Sequence, residues 1–240
     1  MHDDIHTVLW LFGRGLSLSC GLDWDDLLHC PELSRVEKIQ CIKEELNAAM
    51  DAPGVNRAPI RDFLQFLSKR TRDRWRHRFL TTNWDFLLQQ EIDQFVPDGV
   101  PVPRWLGNNS HVFHLNGTVE VRPDNSHRSE FVLREDSERN LSTEVNIALS
   151  EMVWGSTFVV VGVSFECKPD KALFNILNSD MLPIGKSNWI IVNPCQTDLD
   201  NARDLINCKL PQANVTPVPH TLTDWRETQF LQLKERRIFS

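Results

Sequence analysis

The sequence TVLWLF at residues 7–12 is a nearly continuous apolar run that stops at GRG, residues 13–15. A strand that is apolar on both faces is typical of the buried centre of a parallel sheet, because helices cover both faces of such sheets. The glycines predict a tight turn from the strand toward a helix. This stretch therefore predicts the first strand–turn–helix unit of an α/β domain.

Working outward, strands continue to alternate with helices along the chain. Further strands are predicted over residues 78–82, 111–115, 157–161 and 189–192, and near Val215. Helices are predicted over residues 23–30, 141–153 and 199–205, and from Ser34, Pro59, Asp85 and Asp224 onward. Such alternation predicts a Rossmann-like parallel sheet with helices on both faces. Residues of about 23–72 form a helical insertion after the first strand.

Two helices of the predicted insertion have clear start signals. Ser34 and Glu37 have the spacing of a capping box, and Pro59 is a typical first-turn residue. The apolar residues that follow each start recur at helical spacing, which predicts one buried face per helix. These residues are Val36, Ile39, Ile42 and Leu46 in the first helix, and Ile60, Phe63, Leu64 and Leu67 in the second.

Composition is that of an ordinary globular protein. Of the 240 residues, 41% are hydrophobic and 25% are charged, and the formal net charge is −7. A chain of this length buries enough surface to fold without a disulfide or metal staple. No apolar run approaches the ~20 residues that span a bilayer, and no secretory leader is recognisable. We predict one domain over residues 1–240 that is cytoplasmic and has no membrane anchor.

The cysteines and the basic residues argue against two further classes of site. None of the six cysteines forms a C-x-x-C pair, so we predict reduced thiols and no metal site. The acidic net charge makes direct nucleic-acid binding an unfavourable hypothesis. A basic run nevertheless covers residues 69–78, with alternating charges that fit one face of an extended segment. It is interpreted as a solvated face or a contact with an acidic partner, the alternative being phosphate or nucleic-acid contact.

Polar or glycine residues follow five of the predicted strands. Because ligands of parallel sheets bind at the carboxyl ends of the strands, these residues predict one shared crevice. They are Gly13, Arg14, Gly15 and Ser17 after the first strand, then Thr81, Thr82 and Asn83, then Asn116 and Gly117, then Gly162 and Ser164, and finally Asn193. The third glycine of a G-x-G-x-x-G loop is missing, because position 18 is Leu.

Four of these blocks resemble the sirtuin family. GRGLSLSCGL at residues 13–22 resembles the glycine-rich opening loop of sirtuins, and TTNWD at 81–85 is similar to their T-Q-N-x-D and to the T-T-N-Y-D of bacterial sirtuin-like proteins. GVS at 162–164 resembles a G-T-S segment, and IVN at 191–193 resembles a strand that ends in a ribose-binding Asn. The blocks occur in family order over most of the chain.

The resemblance implies an NAD site. It implies that the loop from Gly13 to Ser17, including Arg14 and Gly15, binds the pyrophosphate, with Thr81 and Thr82 beside it. Asn83 and Asp85 would face nicotinamide and its ribose. Gly162, Ser164 and Asn193 would bind the adenosine half. Helix capping is the alternative interpretation of Asn83 and Asp85, and the two roles are compatible.

The chain departs from the deacylase sirtuins at two points. The four-cysteine zinc module is absent, so the chain resembles the defence-associated NAD hydrolases of bacteria more than a deacylase. In addition, the family's catalytic His precedes a Gly, and here that position is Asn116. An amide is a poor base near neutral pH. His114 lies two residues earlier and on the same face of a strand, so it is either a displaced catalytic imidazole or a packed core residue.

The resulting hypothesis is an NAD hydrolase that produces nicotinamide and ADP-ribose as the effector of a bacterial antiviral defence complex. NAD is then the substrate, Asn83, Asp85, His114 and Asn116 are the catalytic candidates, and a separate sensor subunit activates an oligomeric hetero-complex. The alternative is a catalytically weak or inactive NAD- or nucleotide-binding regulatory subunit. A protein deacylase is a third, weaker hypothesis.

Overall fold

The computed structural model describes residues 5–24, 33–97, 99–107, 111–119, 130–133, 136, 157–166, 170–171 and 187–239. The predicted polar loop at 123–128, the predicted helix at 141–153 and most of the predicted helix at 23–30 lie outside the described residues. Six strands and seven α-helices are described, with a short 3₁₀ turn at Arg104–Leu106. The strands are β1 His6–Phe12, β2 Trp75–Thr81, β3 Val112–His114, β4 Thr157–Val161, β5 Asn188–Val192 and β6 Asn214–Val218. The helices are α1 Arg14–Ser19, α2 Arg35–Met50, α3 Ala58–Arg70, α4 Leu87–Phe95, α5 Gln196–Lys209, α6 Leu222–Glu227 and α7 Leu231–Glu235.

The six strands form one parallel sheet in the order β3-β2-β1-β4-β5-β6. This order places β1 at the centre, which explains why residues 7–12 are apolar on both faces. The chain leaves β1 toward β2 on one side and later returns to β4 on the other. The reversal between β1 and β4 creates a crevice at their carboxyl ends, where ligands of doubly wound sheets bind.

Side chains that alternate along the strands separate two cores. One face buries Trp10 and Phe12 of β1 against Phe63 of α3, with ring centroids 4.7 and 5.7 Å apart, and this core extends to α6 and α7. The other face buries Leu9 and Leu11 with apolar residues of α5. Helices therefore cover both faces, and the predicted fold class is confirmed.

The predicted elements that fall on described residues are present, with shifts at their ends. β4 has the predicted bounds, whereas β2 begins three residues earlier than predicted and α6 begins at Leu222 behind a Thr221–Asp224 capping box. The Ser34–Glu37 capping box is confirmed. The predicted apolar face of α2 is wrong at its start, because Val36 is 77% exposed. Val36 is in the first turn, before the helix reaches the core at Ile42.

The basic run does not form one extended face, so that prediction is wrong in part. Lys69 and Arg70 form the last turn of α3, and only Arg76 and Arg78 belong to β2. The four described cysteines, Cys20, Cys41, Cys195 and Cys208, are free thiols. In the described part of the chain no helix is long and apolar enough to cross a membrane.

Candidate active site at the carboxyl ends of the strands

The glycine-rich loop after β1 lies directly against the end of β4. The Gly13 N–H donates to the carbonyl oxygen of Val161 over 2.9 Å, and the Gly15 N–H donates to that of Gly162 over 3.1 Å. A Cβ on Gly15 would lie 2.7 Å from the Cα of Gly162. A Cβ on Gly162, whose φ is +63°, would lie 2.5 Å from the Cα of Gly15. Position 18 has no glycine for close packing against the loop, and Gly162 at the end of β4 provides this close approach instead.

Two hydrogen bonds fix the end of β2 to the end of β1, and a third forms within the turn after β2. The hydroxyl of Thr81 donates to the carbonyl oxygen of Phe12 over 3.1 Å and accepts the backbone N–H of Asn83 over 3.0 Å. The N–H of Thr82 donates to the same Phe12 oxygen over 2.9 Å. In the described structure Thr81 and Thr82 therefore fix the backbone after β2, and this orients Asn83 toward the glycine-rich loop.

Asn83, Ser17 and Asp85 form a buried polar cluster. The Asn83 Nδ2 donates to the carbonyl oxygen of Gly13 over 3.0 Å and to Ser17 Oγ over 2.9 Å. The Ser17 hydroxyl donates in turn to Asp85 Oδ2 over 2.5 Å. The three side chains are 2%, 0% and 5% exposed, respectively. The buried Oδ1 of Asn83 accepts no hydrogen bond from the part of the protein that the structure describes.

Burial raises the pKa of the Asp85 carboxyl above its ordinary value. Hydrogen bonds oppose the shift because they favour the charged form, foremost the one from Ser17 and the one from the N–H of Leu87 at the start of α4, over 3.3 Å. Asp85 thus contacts the first residue of α4, although the N-cap position of this helix is Phe86 and no side chain caps it. The side-chain amide of Asn83 donates to Gly13 and Ser17 and not to α4.

Asn116 and His114 have different surroundings. His114 pairs with Thr81 in the sheet register and is 0% exposed. Asn116 lies in the turn beyond β3, where its Nδ2 donates to the carbonyl oxygen of Thr82 over 2.9 Å and to Asp170 Oδ1 over 3.3 Å. The side chain of Asn116 therefore contacts the segment that contains Asn83. His114 instead lies within β3, paired with Thr81 of β2.

The residues expected to bind adenosine are spread along the same edge of the sheet. Gly162 contacts the glycine-rich loop, whereas Asn193 follows β5, two strands away from β1. Asn193 Oδ1 accepts the N–H of Cys195 over 2.9 Å, and its Nδ2 donates to Asp198 over 3.1 Å, which fixes the turn into α5. The Ser164 hydroxyl accepts the N–H of Glu166 over 3.4 Å.

Arg14 extends from the glycine-rich loop to an aromatic stack. Its guanidinium donates to Asp23 over 2.7 Å and lies 5.6 Å from the ring centroid of Trp24. The Trp24 ring is 5.2 Å from Trp84, the residue between Asn83 and Asp85. Sequence reasoning missed Trp24, Trp84 and Asp170. Trp84 was signalled by its position inside the TTNWD block, whereas Asp170 has no local signal.

The described residues contain no group of three or more His, Cys, Asp or Glu side chains that could bind a metal ion. The polar cluster is therefore built from hydroxyl, amide and single carboxylate groups. Such groups bind and orient polar ligands and stabilise positive charge without a metal.

Comparisons with known proteins agree with this architecture. No protein-family model matches the chain, and no curated protein sequence matches it. The chain is similar to a solved structure of Sir2 in complex with the inhibitor EX-527, 2'-O-acetyl-ADP-ribose and a deacetylated p53 peptide, with a TM-score of 0.52 and 17% identity over 97% of this chain and 94% of that one. A second solved structure, described as the structural basis for sirtuin substrate affinity, has a TM-score of 0.52 and 16% identity over 97% and 94%. This chain has a sirtuin-like variant of the Rossmann-like fold.

Proposed function

We propose that this protein is an NAD hydrolase that converts NAD and water to nicotinamide and ADP-ribose. The observation that supports it most is the buried Oδ1 of Asn83, which accepts no hydrogen bond from the described residues and lies next to the hydrogen-bonded Ser17–Asp85 pair. A buried polar atom without a partner costs about 1–3 kcal/mol, so such atoms are typical of sites that a ligand completes. A carboxamide, which has N–H donors and a carbonyl acceptor, is a ligand of the required kind.

The glycine contact fits the phosphate portion of NAD. Gly13 and Gly15 have no side chains, and the loop they form lies where the sheet reverses between β1 and β4. Glycine at such a turn lets the backbone approach a pyrophosphate closely. The Sir2 structure described above contains 2'-O-acetyl-ADP-ribose, which has the same pyrophosphate. We expect Gly162, Ser164 and Asn193 to contact the adenosine half along the same edge.

Asp85 supplies the charge that the reaction needs. Cleavage of the bond between nicotinamide and ribose leaves an oxocarbenium-like ribose, as glycoside hydrolysis does. A carboxylate held in a low-dielectric site stabilises such a cation more than it would in water. Burial raises the pKa of Asp85, and the hydrogen bonds from Ser17 and Leu87 oppose that shift in favour of the charged form. Asn83 orients the carboxamide of nicotinamide and holds it in place while its bond to the ribose breaks.

The proposed biological role is that of the effector in a bacterial antiviral defence complex that depletes NAD. A separate sensor subunit would activate the chain in an oligomeric hetero-complex, located in the cytoplasm. The alternative is a regulatory subunit that binds NAD or a nucleotide without hydrolysis. Asn116 favours this alternative, since an amide replaces the basic imidazole that the sirtuin resemblance implies at this position.

The test is nicotinamide release from NAD by the full chain, alone and with the proteins that co-purify with it. We expect release in the complex and a loss of ~10²-fold or more in Asn83→Ala, because one oriented contact to the reacting group is removed. Asn201→Ala, on the exposed side of α5, is the matched control and should be fully active. Binding of NAD without release in any preparation would support the regulatory subunit, and absence of both would contradict the NAD site.

A further inference from the structure

The side-chain amide of Asn116 donates hydrogen bonds to two acceptors. Both hydrogens of its amide nitrogen are donated, one to the carbonyl oxygen of Thr82 and one to Asp170 Oδ1, over 2.9 and 3.3 Å. An amide nitrogen donates and does not accept a proton. Asn116 therefore cannot act as a base, but it can fix a carboxylate in place.

The contact with Asn116 places Asp170 at the carboxyl edge of the sheet. Thr82 directly follows β2, Asn116 lies just beyond β3, and Asp170 comes from the segment after β4, so three separate parts of the chain meet at this hydrogen-bonded group. The Thr82 carbonyl that shares the Asn116 amide belongs to the peptide bond that leads into Asn83. Asp170 is thus anchored one peptide from the residue that we expect to orient nicotinamide.

Exposure separates Asp170 from the other base candidate. The imidazole of His114 is 0% exposed and lies within the sheet layer, where an attacking water does not reach it without a rearrangement. Asp170 is partly exposed, and its carboxylate is hydrogen-bonded through one oxygen to Asn116. A base must lie within hydrogen-bond distance of the water that it deprotonates. Of these two candidates, Asp170 is the one whose basic atom is accessible from solvent.

We propose that Asp170 is the general base of the hydrolysis and that Asn116 is its positioning residue, an inference that rests on the proposed NAD hydrolase function. The C–N bond between ribose C1′ and nicotinamide breaks, and nicotinamide leaves as a neutral molecule with the bonding electron pair. The oxygen of a water molecule bonds to C1′, and one proton of that water passes to the Asp170 carboxylate. Asp170 then releases this proton to solvent, so that NAD⁺ and water give nicotinamide, ADP-ribose and H⁺.

The experiment measures nicotinamide release by the full chain, with the proteins that co-purify with it, for a set of variants. We expect Asp170→Asn to lower kcat by ~10²–10⁴-fold with little change in KM, because a lost base affects the chemical step and not ground-state binding. Asp170→Glu should recover part of the rate. Asp204→Asn, whose side chain is 71% exposed on α5, is the matched control and should leave both constants unchanged.

The double variant Asn116→His with Asp170→Asn separates catalysis from structure. An imidazole at position 116 should restore kcat to at least ten times that of Asp170→Asn, and the restored rate should fall below pH ~6.5 as the imidazole is protonated. A structural role of Asp170 would not be rescued in this way. If the wild type is active and Asp170→Asn is equally active, the inference about Asp170 is overturned and the proposed function stands. If the wild type releases no nicotinamide, both the proposed function and the inference are overturned.

Discussion

The two ends of β2 each bury a polar side chain, but only the amino end satisfies it within the described structure. Near the amino end, His77 Nδ1 accepts the indole N–H of Trp10 over 2.8 Å, and Nε2 is 2.9 Å from the hydroxyl of Thr71. Because Nδ1 is the acceptor, the neutral ring has its proton on Nε2 and donates it to Thr71. Beyond the carboxyl end, Asn83 Oδ1 has no partner among the described residues.

The difference separates a structural polar group from a functional one. Thr71 pairs with Phe239 in an antiparallel bridge, and the N–H of Arg72 donates to the carbonyl oxygen of Ile238 over 3.1 Å. The satisfied His77 therefore contributes to joining the last residues of the chain to the sheet. Asn83 is similarly buried, but its Oδ1 accepts no hydrogen bond from the described residues, which leaves a cost that a ligand would remove. We infer that loss of the polar side chain changes stability at the amino end of β2 and changes function at its carboxyl end.

The largest stability effect is expected at the carboxyl end, from the backbone contact that shapes the site. Gly162→Ala should lower the free energy of unfolding by about 3 kcal/mol or more, because a Cβ combines an unfavourable positive φ with a backbone clash. Denaturant unfolding measures the change.

Two other glycines provide graded controls for Gly162→Ala. Gly99 has a φ of +81° but no atom within 4 Å of the added Cβ, so Gly99→Ala should show only the cost of the backbone conformation, about 1 kcal/mol. Gly54 has open space and no positive φ, so Gly54→Ala should be nearly neutral. If Gly162→Ala lowers the free energy of unfolding no more than Gly99→Ala does, the close contact between Gly15 and Gly162 is wrong.

At the amino end, His77→Ala should lower the free energy of unfolding by about 2–3 kcal/mol, since it leaves the Trp10 indole N–H and the Thr71 hydroxyl without their partner. Nicotinamide release per folded molecule should remain that of the wild type. Measuring both quantities on one preparation tests the comparison directly. A loss of kcat in the folded fraction would contradict the division between the two ends.

The amino end should also respond to acid. Burial, with a smaller contribution from the charge of Arg76, lowers the pKa of His77 from 6.5 to about 3. The unfolded chain then binds a proton that the folded chain does not, so this contribution to stability is complete above pH 6.5 and is lost as the pH falls toward 3. The slope is about 1.4 kcal/mol per pH unit for one proton. The free energies of unfolding of the wild type and of His77→Ala, measured across this pH range, isolate the contribution of His77. Parallel plots of these free energies against pH would refute the prediction.

The fold was largely predictable because its central strands have simple patterns. β1 and β4 are continuous apolar runs that end at glycine, and both were located from the sequence. The first residues of β2 were missed, because Arg76 and His77 interrupt the apolar pattern. His77 is buried there only because Trp10, 67 residues away, supplies a hydrogen bond. Local patterns do not contain that information.

The site was predictable as a place but not as a set of contacts. Strand ends and the sirtuin resemblance singled out Ser17, Asn83 and Asp85, which the fold brings together from positions more than 60 residues apart. Asp170 could not be predicted, since its place beside Asn116 depends on a tertiary contact across 54 residues. The unsatisfied oxygen of Asn83 likewise exists only once the surrounding chain is packed. The assigned roles of these residues remain predictions.

The expected stability effect at Asp85 has the opposite sign to that at His77. Burial raises the pKa of Asp85 above its ordinary value of 3.8, so the ionised carboxylate costs the folded state free energy near neutral pH and the cost is relieved in acid. Asp85→Asn removes the buried charge and keeps the shape. It should therefore raise the free energy of unfolding by about 1 kcal/mol at pH 7, with no gain near pH 3, while nicotinamide release falls by ~10²-fold or more. Asp204→Asn, whose side chain is 71% exposed on α5, is a control for the charge change. A destabilised Asp85→Asn at pH 7 would mean that the Ser17–Asp85 bond stabilises the fold, and the carboxyl end of β2 would then resemble the amino end.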